Sequence, residues 1–261
     1  YTQSVKTLIL YGEDTMLKIC TVYYTDQYTP DYVGKLFDSI RRNCSIPFQS
    51  VCITDDPGNV EADIILPYNH HSNVKKHWHK LKFFSPYFGY QEPGDDIIIM
   101  DIDQVITGNI DDLIGHPVEE KELVTYGIWW RSKLHTNGGF YKFKSGSLSY
   151  VWDDFIENPE YWQMHYYNER EVHFPYYGEQ NYVNWRTDEH NIKLTKTPPE
   201  WIGKCDIDIK EDTINNRLYN EKFGDYMFMD NVNPDIKVVH FTGPGNTIHN
   251  NRNGWIKDYW K

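Results

Sequence analysis

Two aspartates one residue apart, Asp101 and Asp103, directly follow the apolar run Ile97-Ile98-Ile99-Met100. Alternate side chains of a strand share a face, so the two carboxylates are expected to converge just past the strand's end. Close carboxylates repel each other, and a hard divalent cation relieves that repulsion. A cation held there would bridge to diphosphate oxygens and offset the charge that develops on a leaving nucleotide. The pair by itself is a weak signal, because the chain also contains Asp206-Ile207-Asp208. Context separates the two. The first pair lies between an apolar run and a Thr107-Gly108-Asn109 turn, whereas no strand is expected before the second. Other potential ligand sets are poorer. Cys20, Cys44, Cys52 and Cys205 form no C-x-x-C pair and read as buried thiols of a reducing, cytoplasmic compartment. His70, His71, His77 and His79 have no carboxylate at zinc spacing and read as solvated surface.

The elements that must position the pair follow from periodicity. Residues 17–24 read as a buried first strand, 50–54 and 63–66 as short strands, and 97–100 as a strand covered on both faces. Val33, Leu36, Phe37 and Ile40 mark one face of a helix over 30–42. Further helices are expected over 77–84, 147–157 and 178–185, and a late strand over 238–241. Asp55-Asp56-Pro57-Gly58 is a turn signal. Strands alternating with helices imply an α/β fold with a mainly parallel sheet. Ligands of such sheets bind in the crevice beyond the strands' carboxyl ends, where Asp101 and Asp103 lie.

The 261 residues, 39% hydrophobic and 25% charged, can bury a sizeable core. A net charge of −12 excludes a general nucleic-acid binder, which carries a basic footprint. No apolar run is long enough to span a membrane. Residues 1–15 show no leader pattern and are expected to be an N-terminal extension before a single domain over 16–261. Within that domain, 16–135 is expected to bind nucleotide and 136–261 to face an acceptor. The 21 Tyr, 12 Phe and 9 Trp suit stacking on sugars or bases, and equally the packing of a core.

Four segments, in order across roughly residues 17–260, carry a resemblance. They are Thr21-Val22-Tyr23-Tyr24-Thr25-Asp26; then His79-Lys80-Leu81 with the stretch from Ile97 to Leu113; then Asn137-Gly138-Gly139-Phe140 with Glu179-Gln180-Asn181; and finally Val239-His240-Phe241-Thr242-Gly243-Pro244. Together they resemble a GT-A-type glycosyltransferase, most like the family that includes glycogenin and the bacterial lipopolysaccharide galactosyltransferases (glycosyltransferase family 8). The resemblance implies a GT-A, Rossmann-like mixed sheet flanked by helices. It also implies transfer of a hexose from a UDP-sugar, with retention, to a glycan or lipid-linked acceptor.

By that resemblance, His240 joins Asp101 and Asp103 as a metal ligand. An imidazole beside two carboxylates favours Mn²⁺ over Mg²⁺, with Mg²⁺ the alternative. Tyr23, Tyr24, Thr25 and Asp26 would cradle the nucleobase, with Tyr28 or Tyr32 stacking on it. Lys80 and Ile102 would contact the donor, and Asn137 and Gly138 would approach its sugar. Gly243 and Gly245 would let backbone amides reach the phosphates. Glu179 and Gln180, standing where the family has Asp-Gln, would be the catalytic pair. One position departs: Asn246 replaces a phosphate-binding lysine, leaving His249, Arg252 or Lys257 to meet that charge. An inverting enzyme would need a carboxylate base, for which Asp153, Asp154 and Glu179 are available.

Two other functions are compatible with the pattern. A sugar nucleotidyltransferase also pairs acids with a metal, but would show a glycine-rich basic loop where Tyr24-Thr25-Asp26-Gln27 stands. A catalytically silent carbohydrate-binding protein would bind sugar regardless of chelators.

Overall fold

A computed structural model describes residues 16–68, 71–127, 137–166, 178–206, 235–242, 248 and 255–261. Strand β1, Leu17–Tyr23, is buried at every position, as its apolar run requires. Helix α1, Asp31–Asn43, buries Val33, Leu36, Phe37 and Ile40 and places Arg41 and Arg42 in its last turn, where they complement the helix dipole. Strands β2, Gln49–Thr54, and β3, Ile64–Pro67, follow. Lys76–Phe84 is a 3-10 helix rather than an α-helix. Next come β4, Asp96–Met100, β5, Gln104–Ile106, α2, Asp111–Ile114, β6, Glu122–Thr125, and β7, Phe140–Lys144. Helices α3, Tyr150–Glu157, α4, Pro159–His165, and α5, Glu179–Glu189, lead to β8, Lys193–Lys196, β9, Ile202–Asp206, and β10, Val238–Thr242. A helical turn, Ile256–Tyr259, lies near the end of the chain.

The main sheet has seven strands in the order β3-β2-β1-β4-β7-β6-β8. The pairs β3–β2, β2–β1, β1–β4 and β6–β8 are parallel, and β4–β7 and β7–β6 antiparallel. Period-two alternation feeds two cores. Leu17, Ile19, Ile98 and Met100 face α1 and the small sheet, while Cys20, Val22, Ile97 and Ile99 face the 3-10 helix, α3 and α5. The small sheet, β5-β10-β9, shares the first of these cores, which makes one domain of the described residues. Pairing of β4 with β7 places the two expected halves in one sheet.

Three sequence expectations need correction. The helix expected from Ser147 begins at Tyr150. Asp206 does end a strand, β9, which pairs in parallel with β10; Asp208 lies outside the described residues. His79 is fully buried and stacked on Tyr68, with ring centroids 3.8 Å apart, and so is not solvated surface.

Candidate active site

Asp101, Ile102 and Asp103 form the bend between β4 and β5, which belong to different sheets. The strand's alternation carries on through the bend: Ile102 joins Ile98 and Met100 in one core, leaving both aspartates, half-buried, on the other side. Gly139 holds the bend from β7's side, its carbonyl accepting from the Asp101 N–H at 3.1 Å. The same carbonyl accepts from Gln104 Nε2 at 2.6 Å. Gln104 in turn accepts from the Tyr126 hydroxyl at 2.7 Å. His240 of β10 pairs with Gln104 across the small sheet. A Cβ at 139 would lie 2.7 Å from Gln104 Nε2 and 3.0 Å from His240 Cε1, so a larger residue there would displace these side chains.

Lys80 is the hub of the site. It is 4% exposed, yet its ammonium pairs with Asp101, with Glu179 at 3.1 Å, and with the Gly138 carbonyl at 2.9 Å. Burial by itself would depress its pKa; the charges of Asp101 and Glu179 outweigh burial and raise it. Glu179 starts α5, 5% exposed, with its other oxygen 3.4 Å from His77 Nε2. Burial holds the His77 imidazole below its usual pKa, with Glu179 pulling the other way. Gly178, at φ 89°, leaves the room that His77 takes, since a Cβ there would lie 2.7 Å from the imidazole. Gln180 accepts from the Gly138 N–H at 3.1 Å. Asn137 is buried and clasped to Thr125, accepting the Gly139 N–H at 3.0 Å.

A second set of contacts ties the loop after β1 to the bend. Tyr24 donates to Gln27 at 3.1 Å, Gln27 to the Tyr28 hydroxyl at 2.9 Å, and that hydroxyl to Asp103 at 3.1 Å. Thr25 is fixed by Asp55 through its N–H and its hydroxyl, and Asp26 is paired with Lys76 at 2.8 Å. Burial and the neighbouring Asp101 charge push the Asp103 carboxyl up to about 7. Burial, then Asp103, also raises the Tyr28 phenol.

Most expected site residues thus meet at one crevice: Tyr24, Tyr28, Lys80, Asp101, Asp103, Asn137, Gly138, Glu179 and Gln180 are joined by the contacts above. Tyr23 is a core residue, 1% exposed, and Tyr32 is fully buried between Tyr28 and Trp260. Of Tyr28 and Tyr32, Tyr28 is therefore the ring able to face a ligand. Gly243, Gly245, Asn246, His249 and Arg252 lie outside the described residues, as do Trp129 and Trp130. Asp154 is bound by Arg186 on α5. Trp260 and the Arg42 bonds to the carbonyls of Tyr259 and Lys261 anchor the chain's end. Asp55, His77, Gln104 and Tyr126 were not legible as site residues. Only the fold brings them there, although a buried-strand glutamine such as Gln104 is a usable signal.

Among the described residues, no three of His, Cys, Asp and Glu converge into a closed metal set. The two aspartates themselves suit a divalent cation, since burial and the neighbouring Asp101 both disfavour the charged form of Asp103 and a cation would offset them.

No family model and no curated protein sequence matches the chain. Among solved structures, the galactosyltransferase LgtC in complex with donor and acceptor sugar analogs is similar, with a TM-score of 0.54 and 11% identity over 88% of each chain. That likeness shows the fold: a GT-A, Rossmann-like mixed sheet, mainly parallel and flanked by helices.

Proposed function

We propose that the chain is a metal-dependent glycosyltransferase that moves a hexose from a UDP-sugar to a glycan or lipid-linked acceptor, with retention of configuration. The observation that carries this reading is the buried Lys80 ammonium. It sits between Asp101 and Glu179 at the carboxyl ends of the parallel strands, where this architecture binds ligands. Asp101 and Asp103 would hold Mn²⁺, or Mg²⁺ in its place; His240 is kept as the third ligand on the sequence resemblance alone, since the three do not converge as a closed set among the described residues. Charge neutralisation of the leaving diphosphate is the chemistry a cation supplies there. Lys80 offers the donor a positive charge that Glu179 keeps in place. Gly138 lets the backbone come close to a sugar, its room already limited by Glu179 Oε1, which a Cβ would meet at 2.7 Å. Glu179 is paired with Lys80 and His77, and Gln180, accepting from the Gly138 N–H, would be the member of the pair that faces the reacting carbon. Tyr24, Thr25, Asp26 and Tyr28 form the wall for the base, and Tyr28 couples that wall to Asp103. Residues 243 and 245 remain assigned to the phosphates on the sequence resemblance.

The test is donor turnover by the full chain with UDP-, GDP- and dTDP-hexoses, each with Mn²⁺ or with EDTA. Mn²⁺-dependent release of UDP is expected, and Asp103→Ala should abolish it. No turnover of any donor with Mn²⁺ present overturns the reading. The described helices include none long and apolar enough to cross a membrane.

A further inference from the structure

Backbone strain collects around a small cleft at the other end of β4. Five non-glycine residues among those described have positive φ; one of them, Tyr87 (φ 66°), lines this cleft, and two more, Tyr90 (φ 58°) and Lys121 (φ 57°), stand near lining residues in the chain. Bulky residues avoid this region because Cβ crowds the neighbouring backbone, so such outliers persist only where surrounding structure holds them. The cleft, about 270 Å³, is lined by Pro86, Tyr87, Pro93, Glu120, Gly146 and Ser147. Tyr90 stands on the same loop as Tyr87, and Lys121 follows Glu120 on the opposite wall. Asp96 at the start of β4 pairs with Lys144, and the Ser145 N–H donates to the Asp95 carbonyl at 2.9 Å. The cleft is thus separated from Asp101 by the length of β4.

The loop that carries the tyrosines is clamped. Gln91, 1% exposed, donates to the Phe83 carbonyl at 2.9 Å and accepts from the Ser145 hydroxyl at 3.0 Å. Glu92 N–H donates to Asp95 at 3.0 Å. Gly89, at φ 70°, seats the underside of the loop against Val51, Leu66 and Phe83. Despite these ties, Tyr87 and Tyr90 remain 66% and 71% exposed. A loop built to satisfy the core alone would turn such rings inward or replace them with glycine. Instead, two rings are held outward, one of them in a cleft beside a free-standing carboxylate. A phenol ring carried outward on a clamped backbone offers the C–H face of a pyranose an apolar platform, and a carboxylate accepts from sugar hydroxyls.

We infer that this cleft is a second saccharide-binding site, remote from the Asp101–Asp103 bend, with Tyr87 as its platform and Glu120 as its polar anchor. The choice of a saccharide rests on the glycosyltransferase reading above. Holding a distal part of an acceptor glycan there raises its effective concentration at the crevice.

The test applies the full chain, in EDTA and without nucleotide sugar, to an array of gluco-, galacto- and manno-configured oligosaccharides. The wild type should bind. Tyr87→Ala keeps the backbone strain but removes the ring, and should weaken binding by about tenfold or more, while Tyr87→Trp retains it. Tyr87→Gly should lose binding and yet melt at a higher temperature, because glycine adopts this φ freely. Absence of wild-type binding, equal binding by Tyr87→Ala, or a lower melting temperature for Tyr87→Gly overturns the inference. Donor turnover measured on the same preparations separates the two readings. Turnover without array binding removes the cleft alone, and array binding without turnover of any donor removes the transferase and keeps the cleft.

Discussion

Lys80 and Lys82 occupy one 3-10 helix, both buried, with opposite electrostatic fates. Lys80 has two carboxylates; Lys82, 1% exposed, has no hydrogen-bond partner for its ammonium among the described residues. Burial alone pushes the Lys82 pKa down from 10.5 to about 8. At about 1.4 kcal/mol per pH unit, that fall corresponds to about 3 kcal/mol of stability forgone while the lysine is charged. The sign follows from proton counts. The folded value lies below the unfolded one, so between about pH 8 and 10.5 the unfolded chain binds more protons and stability rises with pH. Below pH 8 the full penalty is present. Lys82→Met keeps most of the stem and removes the charge. It should therefore be more stable than wild type by about 2–3 kcal/mol at pH 7, with the gain shrinking to near zero by about pH 10.5. Urea unfolding of both proteins at pH 7 and pH 10 measures this difference, and tyrosine titrations common to both cancel. A variant less stable at pH 7, or a gain that does not change with pH, would refute the reasoning by showing that the ammonium has a partner.

Three further outcomes are expected from the site. Lys80→Met strands Glu179 and Asp101 without their cation and should cost about 3–5 kcal/mol in urea unfolding, with donor turnover reduced by at least about a hundredfold. Gly139→Ala forces a Cβ to within 2.7 Å of Gln104 Nε2 and 2.9 Å of Asn137 Oδ1; it should destabilise by about 1–3 kcal/mol and weaken donor binding in a thermal-shift titration. Tyr28→Phe removes the hydroxyl that bridges Gln27 and Asp103, and should weaken Mn²⁺ binding by about tenfold or more in a calorimetric titration, with little change in melting temperature.

The strands over 17–23, 49–54 and 96–100 and the helix over 31–43 were legible because each carries its own periodic or continuous apolar signal. Strands β5 to β9 were not. β5 has three residues, β6 and β8 four each, and their identity as strands comes from partners far along the chain. The short strand before Asp206 escaped notice for the same reason: Ile202-Gly203-Lys204-Cys205 is too mixed to signal a strand until β10 lies beside it.

The sequence by itself determined the α/β class, the placement of Asp101 and Asp103 beyond a buried strand, and the glycines and acids that would gather near them. Those properties are local, set by residue type and short-range period. Only the tertiary structure decided how the pair is built. It is a bend between two sheets, with Ile102 turned into the core and Gly139 holding the backbone. Only the tertiary structure showed that Lys80 meets Asp101 and, 99 residues further along the chain from itself, Glu179, because a buried charge is stable only where folding brings its counter-charges to it.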